Sequence, residues 1–173
     1  SRGLGDVYKR QACDMYKHKL KLIEKGAKRL GINIIETCLR DGASADKELP
    51  SADRILCDVP CSGLGVLSRK PEIRYKDDLI DTDLADIQYK ILCESAKYLK
   101  KGGKLVYSTC TLNLQENNKN TAKFLAEHND FEGVELELPP ELKRAFDEKP
   151  YEITLMPHTF DGDGFYIAVL TRR

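Results

Sequence analysis

Ala52-Asp53-Arg54-Ile55-Leu56-Cys57-Asp58-Val59-Pro60-Cys61-Ser62-Gly63-Leu64-Gly65 decides the reading of this chain. The run up to Cys57 is short, apolar at its end and followed by an acid, the pattern of a buried strand that delivers Asp58 to its carboxyl end. Proline, serine and two glycines come next, too flexible to continue a strand. A carboxylate and a thiol therefore share one loop at a strand's carboxyl end, the edge where open α/β sheets bind ligands. Lys104-Leu105-Val106-Tyr107-Ser108-Thr109-Cys110-Thr111 repeats the arrangement: a strand that runs into a small polar turn bearing a cysteine. Parallel neighbouring strands would bring Cys61 and Cys110 to the same edge.

On the amino-terminal side, Asn33–Leu39 is rich in β-formers and finishes at Arg40-Asp41-Gly42. Before it, Leu20, Ile23, Ala27 and Leu30 fall at helical spacing within 15–30, and Gly31 closes that helix. Ala12-Cys13-Asp14 reads as the last residues of a strand. Residues 1–11 fit nothing after them and read as a leader foreign to the fold, the domain occupying 12–173.

On the carboxyl side, 68–81 has no clear period and carries Arg69, Lys70, Arg74 and Lys76 around Tyr75. Leu84, Ile87, Ile91, Leu92, Ala96 and Leu99 define a long helix. Gly102-Gly103 is its expected stop, with Lys97, Lys100 and Lys101 in the last turn. Asn113 with Glu116 three residues on is a capping-box pattern. Residues 131–138 look like a strand, 139–157 irregular, and 164–170 a final strand. Strands alternating with helices predict an α/β fold: a mostly parallel sheet with helices on both faces.

The chain has 173 residues, 32% of them charged, and a formal net charge of zero. That size suits one domain. Nucleic-acid binding would need a local basic patch, since bulk charge supplies none. No apolar run approaches the roughly 18 residues of a membrane span. Six cysteines, several inside predicted elements, suit a reduced, cytosolic protein better than a disulfide scaffold.

Three strands end on acids: Asp14, Asp41 and Asp58. Each has an ordinary reading as a turn or cap residue. Together on one sheet edge they suit a ligand with hydroxyls and amines, and a nucleoside cofactor fits. Cys110 is either a small buried hydrophobe or, beside a helix start that favours thiolate, a nucleophile. Cys61 has the same address. Cys57 and Cys61 lack the companions of a zinc site, and the three histidines have no ligand spacing. Cys13, Cys38, Cys57 and Cys93 read as packing residues. The stretch from Arg69 to Lys76 is a solvated loop or a phosphate contact.

With these residues in view, the chain resembles the RNA cytosine-C5 methyltransferases. Two motifs carry the resemblance: Asp-x-Pro-Cys-Ser-Gly-x-Gly at 58–65 and Ser-Thr-Cys-Ser/Thr at 108–111. Arg69 to Ile73, Glu116-Asn117 and the ending Asp163-Gly164-Phe165-Tyr166 also match, the last being most similar to the bacterial small-subunit (16S) ribosomal RNA methyltransferase B type. The resemblance implies a Rossmann-like methyltransferase sheet with an antiparallel C-terminal strand. It implies S-adenosyl-L-methionine as methyl donor and a cytosine of ribosomal RNA as target, with no metal, membrane or protein partner. Asp14 would hold the ribose hydroxyls, Asp41 would lie by the adenine, and Asp58 would face the methionine end and the cytosine ring. Cys110 would attack C6 of the flipped-out base, and Cys61 would assist release. Arg69, Lys70, Arg74 and Lys76 are the RNA-contact candidates.

The family's first strand and glycine-rich cofactor loop, expected before Asp14, are not found in 1–11. The expectation is a partial catalytic domain, poorly stable and inactive by itself. Two other readings are compatible with the residues: a transfer-RNA cytosine-C5 methyltransferase, which the motifs do not separate, and a non-catalytic RNA-binding fragment.

Overall fold

The computed structural model describes residues 9–45, 49–75, 82–142, 144, 147–159 and 162–173. The chain divides into two compact units, Ser1–Ala45 and Asp46–Arg173.

The first unit is a strand–helix–strand crossover: β1 (Arg10–Asp14), α1 (Lys17–Arg29) and β2 (Ile35–Leu39). β1 and β2 are parallel, with Asp14 opposite Leu39. The strand starts at Arg10, two residues earlier than its apolar pattern suggests, because Arg10 and Gln11 already pair with Ile35 and Glu36. Asp14 accepts a hydrogen bond from the Tyr16 N–H at 2.8 Å, turning the chain out of β1 toward the helix. Gly31 ends the helix with φ +66°, a left-handed conformation that favours glycine. Leu20 is buried as expected, whereas Leu30 is exposed. Cys13, expected to pack, is exposed too, β1 being paired on one side only among the described residues.

The second unit holds β3 (Ala52–Asp58), α2 (Thr82–Ala96), β4 (Leu99–Thr109), α3 (Asn118–Glu127), β5 (Phe131–Gly133), β6 (Glu152–Leu155) and β7 (Phe165–Arg172). Its sheet runs β3-β4-β7-β5, with β6 also on β7. β3 and β4 are parallel, and all three ladders of β7 are antiparallel. The core lies where alternate residues of β4 and β7 meet the helices. Leu105, Tyr107, Tyr166, Ala168 and Leu170 are buried there with Leu92 of α2 and Phe124 of α3.

Several sequence expectations fail in this unit, among them the strand read over 131–138, which extends only through Phe131–Gly133. α2 stops at Ala96, not at Gly102-Gly103, because Leu99 is drawn into the core and pairs with Ala52 as the start of β4. Gly102 instead takes φ +74° where the β3–β4 register shifts, an irregularity between Ala52 and Arg54. The three lysines therefore do not crowd a helix end: Lys97 pairs with Glu94, and Lys100 pairs with Asp53 on the neighbouring strand. β6 lies in the stretch read as irregular. Its buried residues include Glu152 and Thr154, so no apolar alternation announces it.

Candidate active site

Parallel pairing of β3 with β4 sets Asp58 opposite Ser108 and sends both strands into their polar turns side by side. The result is a contact between thiols: Cys61 Sγ lies 3.2 Å from Cys110 Sγ. Both cysteines are partly buried. Burial, with the Cys110 sulfur alongside, pushes the Cys61 thiol up to about 12, so it stays protonated near neutrality. Asp58 is exposed at the end of β3 and accepts from the Ser108 hydroxyl at 3.4 Å. α3 starts only at Asn118, so no helix N-terminus follows Cys110 directly, and the thiolate argument made from that address does not apply.

The glycines of the Cys61 loop are required by its shape. Gly63 has φ +75°. Gly65 donates its N–H to the Cys110 carbonyl at 3.0 Å and accepts from the Gly164 N–H at 2.8 Å. The loop is thereby stitched to the second cysteine turn and to the turn that enters β7.

A buried polar cluster lies under the two thiols. Glu116 is 1% exposed, and each of its carboxylate oxygens accepts two hydrogen bonds. The donors are Ser62 N–H at 2.9 Å, Ser62 Oγ at 2.6 Å, Gln88 Nε2 at 2.7 Å and Asn113 Nδ2 at 3.0 Å. The capping box expected from Asn113 and Glu116 does not form: the carboxylate turns to Ser62, and α3 begins after Asn117 without a side-chain cap. Asn117, also buried, accepts from Thr109 Oγ1 at 2.6 Å and donates to the Thr111 carbonyl at 2.9 Å, bracketing Cys110.

Ser62, Thr111, Gln88 and the true place of Glu116 were not read from the sequence. Gln88 had a signal. It stands at four-residue spacing between Leu84 and Leu92, a polar residue on an apolar stripe, and it is fully buried.

Of the RNA-contact candidates, Arg69 and Lys70 are exposed in the connection between two short turns of 3-10 helix after the Cys61 loop, and Arg74 is exposed on the second of them. Buried Ile73 pins the segment, with its Cδ1 beside the Gly63 α-carbon. Arg69 is paired with Asp163 at 3.1 Å, yet 74% of its side chain is exposed. Tyr75 projects into solvent. Lys76 lies outside the described residues.

In the first unit, Asp14 and Asp41 stand at the carboxyl edge of β1 and beyond β2. Asp41 accepts from the Ala43 N–H at 2.9 Å and the Ser44 hydroxyl at 3.0 Å. These two bonds, the backbone one first, hold its carboxyl below the usual carboxylate range. Asp14 Oδ1 takes the Tyr16 N–H, and Lys19 Nζ stands 3.7 Å from Oδ2. Each carboxylate keeps acceptor lone pairs to spare, and such acceptors suit the hydroxyls and amine of a nucleoside. No group of metal-binding side chains occurs among the described residues.

The fold is a Rossmann-like α/β methyltransferase fold. It superposes on NSun6 from Pyrococcus horikoshii, solved with SFG, with a TM-score of 0.82 and 29% identity over 95% of this chain and 41% of that one. A methyltransferase homologue from the same organism gives a TM-score of 0.75 at 25% identity, covering 94% of this chain and 53% of that one. The family model described as 16S rRNA methyltransferase RsmB/F matches residues 5–171, and the chain belongs to that family. It is 42% identical to the probable ribosomal RNA small subunit methyltransferase B of Bacillus subtilis (strain 168), over 94% of this chain and 37% of that protein. A protein of the same description from Synechocystis sp. is 34% identical over 98% of this chain and 39% of its own length. The chain thus spans well under half the length of these curated relatives.

Proposed function

We propose that the protein carrying this chain methylates C5 of a cytosine in small-subunit ribosomal RNA, with Cys110 as nucleophile and S-adenosyl-L-methionine as donor. The observation that carries this reading is the 3.2 Å approach of Cys61 Sγ to Cys110 Sγ at the carboxyl edge of two parallel strands. C5 of cytosine is a poor nucleophile until C6 carries a covalent adduct. Cys110 Sγ bonds to C6 of a base taken out of its stack, and the C5–C6 electron pair becomes available at C5. When bound, S-adenosyl-L-methionine supplies an electrophilic methyl group, and SFG in the NSun6 structure is its analogue. The C5 proton then leaves, the electron pair returns to the C5–C6 bond, and Cys110 departs as thiolate.

Cys61 serves the second half of this sequence. Two thiolates at this separation would repel strongly in a partly buried site, so burial and the neighbouring Cys110 sulfur oppose ionisation of Cys61. Bonding of Cys110 to C6 removes part of what opposes ionisation of Cys61. Cys61 is thereby readied for the release step only after the adduct exists. Asp58 faces the reacting ring and the methionine end of the donor. Asp14 and Asp41 take the ribose hydroxyls and the adenine side. Arg69, Lys70, Arg74 and Lys76 contact RNA phosphates.

The test is a trap. RNA containing 5-fluorocytosine has no C5 proton to lose, so the full-length protein with donor should stop at the covalent adduct. Loss of the adduct in Cys110→Ala supports the assignment, and persistence of it there sinks the assignment. Cys61→Ala should accumulate adduct on ordinary RNA.

A further inference from the structure

Glu116 and Asn117 are consecutive, both about 1% exposed, and they reach in different directions. The Glu116 carboxylate holds the backbone N–H and the hydroxyl of Ser62, the residue after Cys61. It also takes the amide of Gln88, which donates at 2.7 Å to the carbonyl of Pro60, the residue before Cys61. Both chain neighbours of Cys61 are therefore fixed through one carboxylate. Asn117 does the same for the other cysteine, through the Thr109 hydroxyl and the Thr111 carbonyl on either side of Cys110. The Ser62 and Thr111 hydroxyls meet at 2.7 Å and close the circuit between the loops.

Helix capping does not explain this arrangement, because neither side chain caps α3. Nor does core packing: an apolar pair of the same size would fill the space without leaving a buried carboxylate to be satisfied by four donors. What the pair specifies is the position of one sulfur relative to the other. We infer that Glu116 and Asn117 are positioning residues that register the two cysteine loops, Glu116 setting Cys61 and Asn117 setting Cys110. The roles of the thiols rest on the function proposed above; the registration itself rests only on the hydrogen bonds.

The division of labour predicts opposite defects. Displacing Cys61 slows release, so Glu116→Gln should accumulate adduct on ordinary RNA, about tenfold above wild type, as Cys61→Ala does. A glutamine amide in the carboxylate's place sets an N–H against donors that need an acceptor. Displacing Cys110 slows attack, so Asn117→Ala should form adduct on 5-fluorocytosine RNA about tenfold more slowly and accumulate none on ordinary RNA. Simple destabilisation would lower both steps together, in proportion to the folded fraction followed by circular dichroism.

A geometric readout needs no RNA. Dibromobimane fluoresces when it bridges two neighbouring thiols, and peptide masses locate the bridge. In the full-length protein the Cys61–Cys110 bridge should form readily and fall about fivefold in rate in Glu116→Gln. Should that variant not fold, Ser62→Ala, which removes the hydroxyl donor alone, should show a smaller fall in the same direction. Equal bridging in wild type and variants of equal folded fraction overturns the registration. Absence of any adduct in the wild type overturns the proposed chemistry, while reduced bridging would still uphold the registration. Adduct that forms normally but never accumulates in Glu116→Gln overturns the assignment of Glu116 to Cys61.

Discussion

Gly65 and Gly164 touch backbone to backbone: a β-carbon on Gly65 would lie 2.0 Å from the Gly164 carbonyl oxygen and 2.8 Å from that of Cys110. The Cys110 oxygen accepts the Gly65 N–H, and the Gly164 N–H donates to the Gly65 carbonyl, so making room disturbs the hydrogen bonds that join the Cys61 loop to its neighbours. Gly65→Ala should therefore cost about 3 kcal/mol of stability, the upper range for overpacking, since the obstacles are backbone atoms. Urea denaturation measures it. A change under about 0.5 kcal/mol would show that the seam relaxes freely.

Cys61 makes a prediction in pH. Its thiol is pushed from 9.0 to about 12 by burial, with Cys110 adding to the effect. In this window the folded protein holds a proton that the unfolded chain has lost. Stability is thus fully present below pH 9.0 and falls as pH rises toward about 12. Buried Tyr107 and Tyr166 are raised too, through desolvation first, and add to alkaline loss. The contribution of Cys61 is therefore the difference between wild type and Cys61→Ala in denaturation from pH 8 to 11. Parallel curves for the two proteins would contradict the raised value.

The exposed basic segment should act on RNA and not on folding. An exposed pair such as Arg69–Asp163 contributes about 0–1 kcal/mol to stability. Lys70→Ala and Arg74→Ala should each leave the melting temperature within error. Each should also reduce the slope of log affinity against log salt by about one for an RNA target. Filter binding across a salt series gives the slope, and unchanged slopes would remove the segment from the RNA interface.

Tyr166 and Glu152 form a second buried polar pair, with the phenol donating at 2.5 Å and Thr121 Oγ1 2.8 Å from the same hydroxyl. Tyr166→Phe keeps the ring in the core and leaves a buried carboxylate one donor short. The expected loss is about 1–3 kcal/mol in thermal or urea unfolding. The double variant Tyr166→Phe with Glu152→Gln should recover part of it, since the orphan would then be neutral. No recovery would mean that the loss comes from packing.

The sequence was most legible where chemistry and backbone geometry coincide. An apolar run, an acid and a glycine-rich turn bearing cysteine can be recognised without knowing any contact. Strand parallelism then brings the two thiols together. The paired motifs pointed to the family for the same reason. Tertiary competition hid the rest. Leu99 fits a helical stripe and a strand start equally well, and the core decided for the strand. Glu116 fits a capping box by spacing, and Ser62, far away in sequence, outbid the local partner. β6 is stabilised by ladder bonds to β7, and its buried Glu152 and Thr154 resemble loop residues until Tyr166 and Thr121 are placed beside them.

The central position of β7 has a consequence for synthesis. Residues 165–172 pair with β4, β5 and β6 at once, so three of the four ladders described in this sheet wait on a segment translated after its partners. Until it emerges, β4 offers a bare strand edge, and the core lacks Tyr166, Ala168 and Leu170. Arrested nascent chains ending before Phe165 should accordingly be protease-sensitive throughout 52–133. The seam under the thiols also needs Gly164, so the Cys61 loop is fully tied down only once that residue has emerged.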